Sequence, residues 1–265
     1  MYIIERKKFH ILKKGAGMRI KSLIVIGIIF LFVCSGQKQL QQEVEETHPN
    51  GSKKKENYFY MSGGKKDVIR TIYYFPNGAV QSDAYFKNAK PDSIAIINYD
   101  DGQRYKETHY KDGMKSGKVI SWWKNGKVRS DATFVNDTAV GTATTYFESG
   151  VKQSEVSFKN GQKEGAYTEW WDNGNKKEVT TYSGGAKNGI HQKWYKNGKP
   201  QLEETRANDL QNGHFVSYYE NGKKEEEAAY VNGKLDGIKT MWNEKGKKVG
   251  EATFKMGEMI SGKSF

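Results

Sequence analysis

Carboxylates recur along this chain at a fixed interval. Asp83, Glu107, Asp131, Glu155, Glu203, Glu227 and Glu251 stand in one 24-residue column, broken only by Val179. A parallel column holds rings: Tyr74, Trp122, Tyr146, Trp170, Trp194, Tyr218 and Trp242. Two carboxyl groups can hydrolyse a glycoside, but that needs one pair with split pKa values at a cleft, not equivalents on an open surface. Of the five histidines, His10 and His48 lie outside the columns, and His109, His191 and His214 fall in three different ones, as ordinary sheet residues would. The single cysteine, Cys34, cannot hold zinc alone, and no His-Glu-x-x-His occurs. The residues point to no catalytic site, no metal and no cofactor.

The chemistry they offer is recognition. The seven acids with Trp122, Trp170, Trp194 and Trp242 could form a rail for a basic or aromatic-rich protein partner, because exposed rings beside charge anchor interfaces. The competing reading is structural: the acids are solvated partners of neighbouring lysines that keep a long sheet soluble and blunt its edges.

Glycines show what must position these files. Gly78, Gly102, Gly126, Gly150, Gly174, Gly198, Gly222 and Gly246 recur every 24 residues, six of them after Asn or Asp. Two more glycine columns run in step, one through Gly113 and Gly161, the other through Gly117, Gly141 and Gly165. Aromatic doublets such as Trp122-Trp123 precede the Asn-Gly pairs, and a single ring follows in every repeat except at Arg206. Asn-Gly between short β-favouring runs signals a hairpin with a two-residue type I′ turn. The expected fold is all-β: an elongated, twisted antiparallel meander of eight tandem hairpins, a solenoid-like single sheet. Its composition fits, with 13% aromatic residues, 29 Gly and four Pro.

A two-residue turn at Asn125-Gly126 fixes a register. Ser121 should face Ser130, Val119 face Ala132, and Gly117 face Phe134, whose ring would cover the glycine backbone. On the opposite face Trp122 should meet Arg129, Ile120 meet Asp131, and Lys118 meet Thr133. The sheet thus acquires a ring face and an acid face.

Outside the array, expected over residues 69–262, the chain divides into short pieces. Residues 1–33 form a signal region: Met18-Arg19-Ile20-Lys21 leads into the apolar run Leu23–Val33, too short for a typical membrane span. Residues 34–57 are almost devoid of apolar side chains and are expected to be a disordered polar tether. Tyr58–Ser62, within 58–68, could add a capping strand. The net charge of +12 does not imply nucleic-acid binding. Half of it sits in residues 1–33, and elsewhere lysines alternate with glutamates instead of forming the basic stripe a duplex requires.

The W/Y-x-N-G and Y/F-x-N-G elements, over about Ile69–Gly262, resemble the MORN-repeat variant of bacterial YwqK-like antitoxin proteins. The Y-x-G-x-W and G-x-G steps of eukaryotic MORN repeats are missing, so lipid binding proposed for those repeats is not carried over. Leu31-Phe32-Val33-Cys34 resembles a bacterial lipobox, which implies lipidation of Cys34, and Ser35 after it implies sorting to a Gram-negative outer membrane. An uncleaved apolar anchor is the alternative. The resemblance implies a non-enzymatic, exported protein that binds a partner protein as an antitoxin or immunity component, with a toxin as the kind of partner. A lipid-anchored envelope scaffold or surface-contact protein without a toxin is the other reading.

Overall fold

The computed structural model describes residues 38–265; the signal region 1–33 and Cys34 lie outside them. The described residues form strands and turns with no helix. An N-terminal pair, β1 (Leu40–Thr47) and β2 (Lys53–Ser62), leads into β3 (Lys65–Tyr74), β4 (Val80–Lys87), β5 (Lys90–Asn98) and β6 (Arg104–Lys111). The middle holds β7 (Met114–Trp122), β8 (Val128–Val135), β9 (Thr138–Tyr146), β10 (Lys152–Lys159), β11 (Gln162–Trp170) and β12 (Lys176–Ser183). Then follow β13 (Ala186–Trp194), β14 (Pro200–Ala207), β15 (Leu210–Tyr218) and β16 (Lys224–Val231). The chain closes with β17 (Lys234–Leu235), β18 (Gly237–Trp242), β19 (Lys248–Lys255) and β20 (Glu258–Ser264). Strands pair antiparallel in chain order, with β17 and β18 sharing β16 as one interrupted strand. The result is the expected single-sheet meander.

The type I′ turns occur, but not at the Asn-Gly end of the hairpins where they were expected. At Asn125-Gly126 the loop has three residues: Trp123 N–H donates to Lys127 O and Gly126 N–H to Trp123 O. Gly126 takes φ 81° while Asn125 stays at negative φ, so this is a type I turn closed by a glycine bulge, not a type I′ turn. The asparagine side chain braces this turn, although Ser149-Gly150 and Lys245-Gly246 take it without one. Asn125 Oδ1 accepts the Lys127 N–H at 3.0 Å, and its amide donates to Glu148 O in the next hairpin at 2.8 Å. The type I′ turns lie at the opposite edge, where one hairpin passes to the next. Between paired Val135 and Thr138, Asn136 and Asp137 sit at φ 48° and 61°.

A three-residue loop alone would shift the register by one residue and swap the faces. A bulge between Ser121 and Trp122 restores it, so Ser121 faces Ser130, Ile120 faces Asp131 and Gly117 faces Phe134 as expected. Only the tip differs. Trp122 meets Val128, and Arg129 stacks over Trp123 at 4.6 Å instead of opposing Trp122.

The tract expected to be a disordered tether holds β1 and the start of β2. Its loop repeats the pattern: His48 N–H donates to Ser52 O, Gly51 N–H to His48 O, and Asn50 reaches Pro76 O. Asn50-Gly51 is a ninth turn of this kind, 27 residues before Gly78. The extra length is taken up around Gly63-Gly64, so the pair falls out of the 24-residue column.

No second layer covers either face among the described residues, and burial concentrates in the middle rows. On the ring face Thr71, Thr108, Thr180, His191, Glu204 and Ala228 are buried; on the acid face Ile72 and Val216 are. Each hairpin buries itself only against its neighbours, the condition that defines a solenoid.

Candidate interaction faces

The acid file forms as expected, and lysines and arginines accompany it. Lys152 Nζ lies 2.5 Å from Glu155, Arg104 2.5 Å from Glu107, Lys224 2.8 Å from Glu227, and Lys248 pairs with Glu251. Arg70 holds Asp83 with two hydrogen bonds of 2.8 and 2.6 Å, and Lys118 lies 3.9 Å from Asp131. Among the described residues Glu203 has no ion pair. Hydrogen bonds from Lys224 and His214 hold the Glu227 carboxyl below its usual range.

The same lysines cover the rings. Lys152 stands 5.7 Å over Trp170, Lys176 5.9 Å over Trp194, and Lys224 5.7 Å over Trp242. Lys152 and Lys224 each bind an acid on their own strand and a ring on a later hairpin. The tryptophans Trp122, Trp170, Trp194 and Trp242 are half-buried, not free platforms. Each exposed ion pair contributes only about 0.2–1 kcal/mol, so the stripe supports the sheet through repetition.

Sequence reasoning missed a further member of the file. Glu56 pairs with Ile72, the place Glu155 occupies against Thr168. It is 1% exposed and accepts from Lys53 Nζ at 2.6 Å, Tyr74 OH at 2.5 Å and Gln42. Burial pushes its carboxyl up, but those hydrogen bonds outweigh burial and leave it below the ordinary value. The available signal was Pro49-Asn50-Gly51, which echoes Pro76-Asn77-Gly78.

The ring face carries a repeat-to-repeat ladder. The second ring of a doublet donates to the backbone of the next hairpin: Trp123 to Tyr146 O at 3.0 Å, Trp171 to Trp194 O at 3.1 Å, and Tyr195 to Tyr218 O at 2.7 Å. Between the second rings of two doublets, Phe147 and Trp171, the face opens into a hollow of about 490 Å³. Thr145 and Ser154 form part of its lining with Phe147, Trp171, Glu169 and Lys177. His109 and His214 sit on the acid face, 3.0 Å from Glu107 and 2.9 Å from Glu227. Among the described histidines His191 alone is buried, on the ring face.

Six hairpins match the family model described as the MORN repeat variant, over residues 70–88, 115–136, 139–160, 163–183, 187–208 and 211–232. The chain is a MORN-repeat protein. Each matched segment from 115 on runs from one type I′ turn to the next, so the family's unit is the hairpin centred on the Asn-Gly loop. The hairpins over 91–112 and 235–256 carry no match yet keep the same loops. MORN repeats are a non-catalytic family whose members commonly bind proteins or membranes.

No curated protein matches this MORN-repeat protein. Among solved structures it is similar to chains from TcdB2-TccC3 and TcdB2-TccC3-Cdc42, at 10% and 9% identity and a TM-score of 0.13 for both. The matches cover 80% and 82% of this chain but 18% and 17% of theirs, so it spans less than a fifth of those chains.

Proposed function

We propose that this MORN-repeat protein is a non-enzymatic binding array that holds a partner protein on its ring face, at the hollow between Phe147 and Trp171. The hollow carries this reading. It is a concavity with aromatic walls and polar groups at its rim, the combination that receives an anchor side chain at an interface. The acid face supports a structural role for its carboxylates, because a partner there would have to displace the lysines that already neutralise them.

The resemblance to YwqK-like proteins supports a finer reading, in which the partner is a toxin and this protein its antitoxin or immunity component. Leu31-Phe32-Val33-Cys34 supports export and lipidation at Cys34, with the outer membrane as destination. The cross-linked loops favour a second reading, a stiff envelope scaffold.

Capture on the Cys34-anchored protein, read by mass spectrometry, tests the array. Phe147→Ala with Lys177→Glu should release the partner that wild type retains. Reversing charge at Glu107, Asp131, Glu155 and Glu203 should leave it bound; the opposite pattern would move the site to the acid face. For an antitoxin, deletion should harm cells only while an adjacent toxin gene is present, whereas a scaffold co-purifies with envelope proteins either way. Failure of labelled palmitate to enter wild-type protein would remove the lipid anchor.

A further inference from the structure

The repeat accounts for most side chains by the packing each hairpin must solve, so residues that break it need another reason. Several of the breaks meet in one place. In the ring-face row where other return strands carry Ala, Thr or Val, β14 carries Glu204. Opposite it β13 carries His191, and the next ring position is occupied by Arg206.

These residues close on one another. His191 Nδ1 lies 2.6 Å from Glu204 Oε1, and its Nε2 lies 3.1 Å from Glu178 Oε1 on β12. Arg206 Nε donates to Glu204 Oε1 at 2.6 Å, and Gln211 of β15 donates to Glu204 Oε2 at 2.7 Å. Thr180 Oγ1 donates to Glu178 at 2.9 Å, and Lys193 Nζ stands 4.0 Å from its other oxygen. Further along the row lie Tyr167 on β11, hydrogen-bonded to Glu169, and Phe215 on β15; Lys177 pairs with Glu169 at 3.1 Å. His191 is 3% exposed and Glu204 4%.

A neutral imidazole has one N–H and cannot donate to two carboxylates; an imidazolium has two. With the proton on, Glu178, His191, Glu204 and Arg206 sum to zero charge. With it off, a ring lone pair faces a carboxylate oxygen, and the buried Glu204 and Glu178 lose the cation between them, leaving only Arg206 and the more distant Lys193. We propose that His191 is a proton-controlled staple, tying β12 to β14 across β13 while protonated and loosening the junction between their hairpins when it loses its proton. In a one-layer array each hairpin touches only its neighbours, so the staple adds to the β12–β13 backbone pairing and the Trp171–Trp194 bond that cross the same junction.

Burial opposes the charge on His191, but the hydrogen bonds to Glu178 and Glu204 outweigh it and raise its pKa above the usual histidine value. A raised folded pKa means that the staple is fully present below the unfolded value, about 6.5. It weakens as pH climbs through the folded one.

Hydrogen exchange read by mass spectrometry on the full chain tests this. Exchange over 176–207 is compared with 128–159, which has no histidine, at pH 5.5 and pH 9.5, each corrected for intrinsic rates. In wild type the 176–207 segment should open more, relative to the reference, at the higher pH, by a factor that His191→Gln abolishes. His191→Gln should show the open value at both. An unchanged wild-type ratio overturns the proposal and needs no variant; a pH effect that persists in His191→Gln assigns it elsewhere, which also overturns it.

Discussion

Trp171 donates its indole N–H to the carbonyl of Trp194, 3.1 Å away and 23 residues further along the chain. Tyr195 and Tyr219 repeat the bond with phenol hydroxyls, to Tyr218 and Trp242. Indole and phenol are interchangeable here because each puts a donor at the far side of a flat ring. Trp171→Phe should therefore cost about 1 kcal/mol and Trp171→Tyr less, measured by urea denaturation. Equal losses would mean that the ring's packing, not its donor, holds the hairpins together.

The turn asparagines should be graded by the bonds they keep. Asn125→Ala loses both the Lys127 N–H contact and the bridge to Glu148 O, at about 1–2 kcal/mol. Asn125→Asp keeps the first, as Asp101 does with Gln103 at 3.0 Å, and should lose about half as much. Thermal unfolding of the two variants separates them.

Glycines of one column should not respond alike. Gly213 sits at φ 110°, and a Cβ there would stand 2.4 Å from Thr205 Oγ1. Gly141 sits at φ 66° with nothing within 4 Å. Alanine can enter the left-handed region near 60° for roughly 1 kcal/mol but not the region near 110°. Gly213→Ala should be the more destabilising by denaturant midpoint, and the reverse order would show that the bulge relaxes freely.

The N-terminal hairpin should be acid-sensitive. A carboxyl held below its usual value contributes stability above its unfolded pKa, about 4.5, and loses it as pH falls through the folded value. Exchange of amides in 40–74 should rise between pH 6 and pH 3 beyond its intrinsic change. Glu56→Gln should be looser at pH 6 and flatter across that range. A wild-type response identical to that of Glu56→Gln would assign the acid effect to other groups.

Much of this molecule could be read in advance because its rules are local. Gly78 to Gly246 mark the hairpins, and strand alternation puts Ile120 with Asp131 on one face and Val119 with Ala132 on the other. Turn type escaped because Asn-Gly suits both a type I′ turn and a type I turn with a bulge, and the two differ by a one-residue register that the bulge before Trp122 absorbs. The first hairpin escaped because three extra residues took Asn50-Gly51 out of phase.

The chain alone therefore determined the period, the single twisted sheet and the division into an acid face and a ring face, since each follows from residues within one hairpin. Tertiary structure decided what those faces hold: Lys152 against both Glu155 and Trp170, Glu56 beneath Tyr74, and His191 between Glu178 and Glu204. Those contacts join side chains across neighbouring strands, and their energetics depend on burial, which no interval along the chain encodes.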